Sequence, residues 1–355
     1  MPFTAQEIVD AGKVGIDFYL RNNPIDQVAV ERPLLKRLQA EKKSAPGAKQ
    51  YIVEQLRYRY QSNFQWFNGA GVVTYNRRTT IEQANYAWRS AHDGFALDED
   101  RLAQNGIIVT DDPKSARTAS QAERIQLTNL IEEQSEVLKL GFNEKFSQEL
   151  HRDGSQSTDA CTGLDALVSL TPSSGTVGGI DPSTVATVYW RNYAQTGLTT
   201  TTTTGTILDY MEVAWRTCTK NGGRPNCIIV GGDFLDGLRN FLLKTYGAGG
   251  GLTYGNGTIG KRIDAGTEQL TFHGVDVVWS PEFDDLQALT GAATSWIKRC
   301  YFLNTQFLKL RPLDGHDMIT RKPPRAYDKY EYYWGLTWRG ALTTGRRNAH
   351  AVLAI

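Results

Sequence analysis

The segment Gly175–Asn192, GTVGGIDPSTVATVYWRN, decides between two folds. Read as a phosphate-binding loop, it would head a nucleotide-binding α/β domain. Read as a structural turn, it removes the strongest catalytic feature from the chain. A dinucleotide fingerprint needs a strand, G-x-G-x-x-G, and a helix whose N-terminus faces the pyrophosphate. Gly175, Gly178 and Gly179 have the wrong spacing, and Asp181-Pro182 follows where a helix should begin. The Asp181 carboxylate would also repel phosphate. No Gly-Lys-Ser/Thr triplet occurs anywhere in the chain. A nucleotide loop is therefore not expected here, and the segment closes on an aromatic-basic cluster, Tyr189-Trp190-Arg191-Asn192.

Other chemistry recedes in the same way. A strand, NCIIV, leads through Gly231-Gly232 into DFLDGLRNFLLKTY, a better topology for an anion site. Asp233 and Asp236, however, put negative charge where phosphate would sit, and an Asp helix cap is the ordinary account. The five histidines are scattered, without G-x-S-x-G or H-E-x-x-H context. His316-Asp317 and His151-Arg-Asp153 read as local surface pairs. The acidic runs Asp98-Glu99-Asp100 and Glu282–Asp285 read as solvated loop or helix N-terminal charge rather than cation sites. Cys161, Cys218, Cys227 and Cys300 lack metal-like spacing and read as buried thiols in a reducing compartment. The sequence thus assigns no catalytic residue, no metal site and no cofactor.

At 355 residues, 40% hydrophobic and 22% charged, the chain has globular composition and length enough for two lobes. A net charge of +1 excludes an overall basic field. Locally, Arg32–Arg89 carries 11 Lys/Arg against 3 Asp/Glu, and Arg321–Arg347 carries 7 against 2. Solvated faces are the plain reading of both. The N-terminus has no signal-peptide pattern, and no apolar run is long enough to span a bilayer, so a soluble cytoplasmic protein with no membrane partner is expected.

Residues 1–50 read as a basic arm punctuated by Pro33 and Pro46-Gly47. Next, YIVEQLRYRY and VVTYNRRTT read as strands flanking the turn QSNFQWFNGAG, a hairpin over 51–80 with Phe64, Trp66 and Phe67 at its tip. Such a tip either docks on something or folds back on its own domain. Leu127, Leu130, Ile131, Leu138, Phe142, Phe146 and Leu150 share one helical face. They predict a helix over about 120–153, opened by a capping box at Ser120–Glu123 and stopped at Gly154. From 155 to 298 the texture is glycine- and threonine-rich α/β, with loops at Thr199–Thr204 and 247–260. Residues 299–355 read as strands returning to the first lobe, which holds 81–154.

Taken in order, these pieces resemble the major capsid proteins of tailed double-stranded DNA bacteriophages, with the Hong Kong 97-type capsid fold. The resemblance rests on HRDG (151–154), GLDALVS (163–169), GTVGGID (175–181) with YWRN (189–192), and YFLNTQFLKL (301–310). It implies an α+β fold with N-terminal arm, extended hairpin loop, peripheral domain with a long spine helix, and axial α/β domain. It further implies a structural, non-enzymatic protein of the virion capsid, assembled in the host cytoplasm as hexamers and pentamers into an icosahedral shell. Arg57, Arg59, Phe64, Trp66, Phe67, Arg77 and Arg78 become inter-subunit contacts. Gly175, Gly178, Gly179, Trp190 and Arg191 become structural residues, Trp190 packing and Arg191 forming ion pairs or hydrogen bonds. Implied partners are other copies of the chain, a portal protein, a decoration protein, and packaged DNA held weakly and nonspecifically. With no lysine between Lys49 and Lys114, no lysine cross-link from the hairpin is expected. Only about 50 residues precede the hairpin, so a separate scaffolding protein and no large N-terminal cleavage are expected. An encapsulin-like compartment shell and a two-domain α/β enzyme using the Gly231 turn are the alternatives.

Overall fold

A computed structural model describes residues 30–47, 49–98, 100, 121–201, 205–246, 270–290, 295–322 and 331–355, with the side chains of 121–130 and 243–246 left aside. The chain divides into two compact units, a smaller one drawing on Gly94–Gly141 and Arg321–Gly335 and a larger one holding most of the rest.

The larger unit is built on a six-stranded mixed sheet. Strands are β4 (Tyr193–Gln195), β5 (Cys227–Val230), β6 (Leu270–Phe272), β7 (Val275–Trp279), β8 (Arg299–Leu303) and β12 (Ala351–Ala354), in the order β4-β12-β8-β5-β7-β6. β5 and β7 are parallel, with Ile229 opposite Val278. A parallel pair needs a crossover, and α5 (Gly232–Tyr246) lies between them in the chain. β6 and β7 turn tightly at His273-Gly274, where both residues have positive φ, the backbone of a two-residue hairpin turn. Helix α4 (Ile207–Lys220) presents Ile207, Met211, Ala214, Trp215 and Cys218 to the sheet, the i, i+4, i+7 spacing of an amphipathic helix. These close with Phe234, Leu238 and Phe241 of α5 over Ile228, Val230, Phe302 and Leu353. Each fully buried large apolar side chain contributes about 1.5–3 kcal/mol, so this cluster is the main stabilising element.

β8 and β12 correct the expectation that 299–355 returns wholly to the first lobe. Both are central strands of the six-stranded sheet, and every residue of both is buried. The apolar runs Cys300–Leu303 and Ala351–Ala354 suit strands covered on two faces. The remaining late strands, β9 (Leu308–Pro312), β10 (Ile319–Arg321) and β11 (Glu331–Thr344), do form a separate four-stranded sheet with β3 (Arg89–Asp98).

Helix α2 runs Gln121–His151, 31 residues, or about 46 Å at 1.5 Å per residue. Phe142, Phe146, Leu150 and His151 of its C-terminal turns are buried. Phe146 packs on Trp338 with ring centroids 4.7 Å apart. His151 is therefore a core residue and not a surface partner of Asp153. In the smaller unit Phe95 stacks on Trp334 at 5.6 Å. The Ser120 cap and the glycine-rich loop at 247–260 lie outside the described residues, as do residues 1–29 of the arm. Of the arm, α1 (Pro33–Ala40) is described, with proline in its first turn and Leu34, Leu35 and Leu38 buried.

Candidate functional site

The segment Gly175–Asn192 forms a platform. Val177 and Ile180 exchange both backbone hydrogen bonds at 3.1 Å, and Gly178 and Gly179 between them have φ of +62° and +80°. Two successive positive φ values define a type I′ turn, which side chains other than Asn, Asp or Gly rarely adopt. Trp190 is buried and donates its indole N–H to the Val177 carbonyl at 3.0 Å, tying the two ends of the segment together. Arg191 donates to the carbonyls of Pro182 (2.7 Å), Ser183 (2.9 Å) and Thr184 (3.3 Å). These are hydrogen bonds to backbone, not ion pairs.

Beneath the platform stands a residue that sequence reading missed. Arg347 is fully buried and spreads its guanidinium over the carbonyls of Leu167 (2.8 Å), Trp190 (3.1 Å) and Ala166 (3.3 Å) and the Asn192 amide oxygen (3.3 Å). Burial pulls its pKa down to about 10, and it stays charged at neutral pH. A planar fork with five N–H donors suits this set of acceptors. In sequence, Arg347 is one more cation in a basic tail, and nothing there marks it as buried.

A two-stranded hairpin docks on the platform. β1 (Tyr51–Arg57) and β2 (Ile81–Ala87) pair antiparallel from Tyr51↔Ala87 to Arg57↔Ile81. The second strand is thus IEQANYA, one segment later than the expected VVTYNRRTT. The reason is burial: Ala84 and Tyr86 of β2 are enclosed, whereas Val72 and Tyr75 are each 91% exposed. The Asn85 N–H donates to the Gly178 carbonyl at 2.8 Å. A Cβ on Gly178 would lie 2.9 Å from that of Ala84, so the approach requires glycine there. Tyr58 stacks on Tyr189 at 5.0 Å, and the Tyr189 hydroxyl bonds Glu82. Tyr86 donates to the Thr344 carbonyl at 3.0 Å, and Arg311 pairs with Glu54 at 2.6 Å.

Past this clamp, residues 58–80 continue as a loop held mainly by side chains. Asn63 bonds the Thr74 carbonyl, Asn76 donates to Asn63 at 3.3 Å, and Gln61 accepts from the Thr79 N–H at 2.8 Å. The chain reverses at Asn68–Gly71. With Gln61, Asn63 and Gln65 facing across the loop, the alternate positions point outward. Phe64 is 74% exposed, Trp66 91% and Phe67 66%, and Tyr60 and Tyr75 are also exposed. Phe64 and Trp66 meet edge to face at 5.2 Å, and this is the main mutual cover of the tip. Arg57, Arg59, Arg77 and Arg78 are exposed on the same arms, which carry no acidic residue between Glu54 and Glu82. The loop is a basic-aromatic finger on a clamped base.

The Gly231 turn is filled: a Cβ there would lie 2.2 Å from the Ile297 carbonyl oxygen, so glycine serves packing. A groove of about 670 Å³ beside α1 is lined by Arg37, Arg224, Asn226, Asn304 and Gln306, among others. Two of its amides are already paired, Asn226 with Thr305 and Asn304 with the Arg224 carbonyl. Burial pushes the thiol pKa of Cys161 and Cys227 to about 11 and that of Cys218 to about 12, so these are unreactive. Among the described residues there is no cluster of three His, Cys, Asp or Glu able to hold a metal, and no helix long and apolar enough to cross a membrane.

No protein-family model matches the sequence, and no curated protein matches it. Solved structures do. The chain has the fold of phage capsid subunits, with the mixed helix and sheet content of an α+β protein. It is similar to a chain of the cyanophage A-1(L) capsid asymmetric unit at 16% identity and TM-score 0.59, covering 93% of this chain and 94% of that one. A chain of the capsid of Myoviridae phage XM1 aligns at 13% identity and TM-score 0.55, covering 94% and 95%. One from the capsid of an empty GTA particle aligns at 11% and 0.54, covering 93% and 99%.

Proposed function

We propose that this chain is a major capsid protein: copies of it assemble as hexamers and pentamers into an icosahedral shell around double-stranded DNA. The observation that carries this reading is the basic-aromatic finger. Its base is clamped by buried contacts, so its projection is built in, yet its tip leaves Phe64, Trp66 and Phe67 in water. An apolar patch of this kind marks an interaction site. The natural occupant is a second copy, because the chain also carries the complementary surface. On α2, Glu132, Glu133, Glu136, Val137 and Leu140 are exposed together, with Val137 at 57% and Leu140 at 46%. Acids beside apolar residues match arginines beside aromatics. Finger-onto-helix contact between copies is heterologous, the type that closes rings.

Arg57, Arg59, Arg77 and Arg78 act here as inter-subunit contacts, and any hold on packaged DNA is weak and nonspecific. A separate scaffolding protein, a portal protein and a decoration protein complete the particle, which forms in the host cytoplasm. No enzymatic step belongs to this function. The test is sedimentation of the full chain, expressed alone and with its candidate scaffold, followed by negative-stain electron microscopy of the fast fraction. Closed icosahedral shells are the expected result, and DNA inside separates a capsid from a compartment loaded with protein cargo. A small species that binds a metabolite tightly at the Gly231 turn would overturn the reading.

A further inference from the structure

Glu282 opens helix α6 (Glu282–Thr290) and is 1% exposed, although its acidic run reads as solvated. Neither carboxylate oxygen has a hydrogen-bond partner of ordinary geometry, and the nearby Ser147 hydroxyl of α2 only partly offsets the cost of burial. The nearest cation is Arg32, with Nε 3.6 Å from Oε1, and the same guanidinium lies 3.8 Å from Glu144 of α2. One arginine thus serves two carboxylates, and Asp285 adds a third negative charge nearby. His151 of α2, edge-on to Phe283 at 5.5 Å, is held neutral by burial, which lowers its pKa to about 4. Arg32 immediately precedes α1, at the junction with residues 1–29.

We infer that Glu282, Arg32 and Glu144 form a proton-dependent latch: the neutral carboxylic acid seats the start of α1 on α2 and α6, and ionisation of Glu282 loosens it. A buried charge is stable only when its partner repays the lost hydration, and half an arginine at 3.6 Å does not. Burial accordingly raises the Glu282 pKa to about 7 against the pull of Arg32. When α1 lifts, the carboxyl regains water and its pKa returns toward the ordinary 4.5. The seated form binds the proton more tightly, so acid favours it, and that advantage is lost as pH rises through about 7.

The test is backbone hydrogen exchange of Pro33–Ala40 in the full chain, corrected for intrinsic rates and referenced to α4. From those two pKa values the α1 opening constant should rise about tenfold between pH 6 and pH 8. Glu282→Gln, neutral and of the same shape, should keep α1 protected with no pH dependence. Glu144→Gln removes a competing negative charge beside Arg32 and should move the midpoint to lower pH. A flat wild-type profile, or an unchanged pH response in Glu282→Gln, overturns the latch. Should Glu282→Gln fail to fold, an unmoved midpoint in Glu144→Gln overturns it equally.

Discussion

Replacing Phe64, Trp66 and Phe67 together by serine separates the stability of the subunit from that of the shell. At 74%, 91% and 66% exposure these rings make few contacts within the chain. The main loss is the Phe64–Trp66 edge contact, worth about 0.5–1.5 kcal/mol, and it sits on a loop outside the cores. The isolated subunit should therefore unfold within about 1 kcal/mol of wild type in urea. Assembly should respond very differently. Full burial of such a side chain is worth about 1.5–3 kcal/mol, so covering what these three leave exposed is worth about 3.5–7 kcal/mol per contact. At about 1.4 kcal/mol per tenfold, that weakens each contact by roughly three-hundred- to hundred-thousand-fold. Repetition over many copies multiplies the deficit, and closed shells should vanish at concentrations where wild type assembles. Sedimentation velocity with electron microscopy reads the shell, and urea denaturation reads the subunit. Normal shells from the triple variant would refute the finger as an inter-subunit contact. A large loss of subunit stability would show instead that the tip folds back on its own domain.

Three further outcomes follow from the platform and the cores. Gly178→Ala should destabilise by about 2–4 kcal/mol in urea, since αL backbone costs about 1–2 kcal/mol and the new methyl meets Ala84. Gly179→Ala, where a Cβ has nothing within 4 Å, should pay only the backbone cost, and equal losses would contradict the docking. Arg347→Met should cost about 3–5 kcal/mol by stranding buried acceptors, and Arg347→Lys should recover little of it, as measured by thermal unfolding. His151 and His350, buried with pKa values lowered to about 4 and about 3, bind protons better unfolded than folded. Stability should therefore be full above pH 6.5 and fall toward pH 4 by about 3 kcal/mol per histidine. Urea titration across that range, with His151→Gln and His350→Gln each flattening the slope, checks it; Glu282 contributes the opposite sign between 4.5 and 7.

Local chemistry was readable from the chain alone. The spacing of apolar residues specified α2, because a helix is decided by contacts three and four residues apart. The mis-spaced glycines excluded a nucleotide loop, and their positive φ values follow from a turn only glycine tolerates. The aromatic-basic composition of the finger, and the absence of acid and lysine from it, are likewise properties of adjacent residues. What tertiary structure decided are the matters that depend on residues far apart in sequence. β8 and β12 belong to the six-stranded sheet because of partners distant in sequence: Val230 of β5 lies opposite Cys300 of β8, and Tyr193 of β4 opposite Ala351 of β12. The second hairpin strand is 81–87 because Ala84 and Tyr86 find the platform, which no local pattern announces. Arg347 and Glu282 look like surface charges in sequence, since burial of a charge depends on which distant carbonyls, or which shared arginine, the fold brings to it.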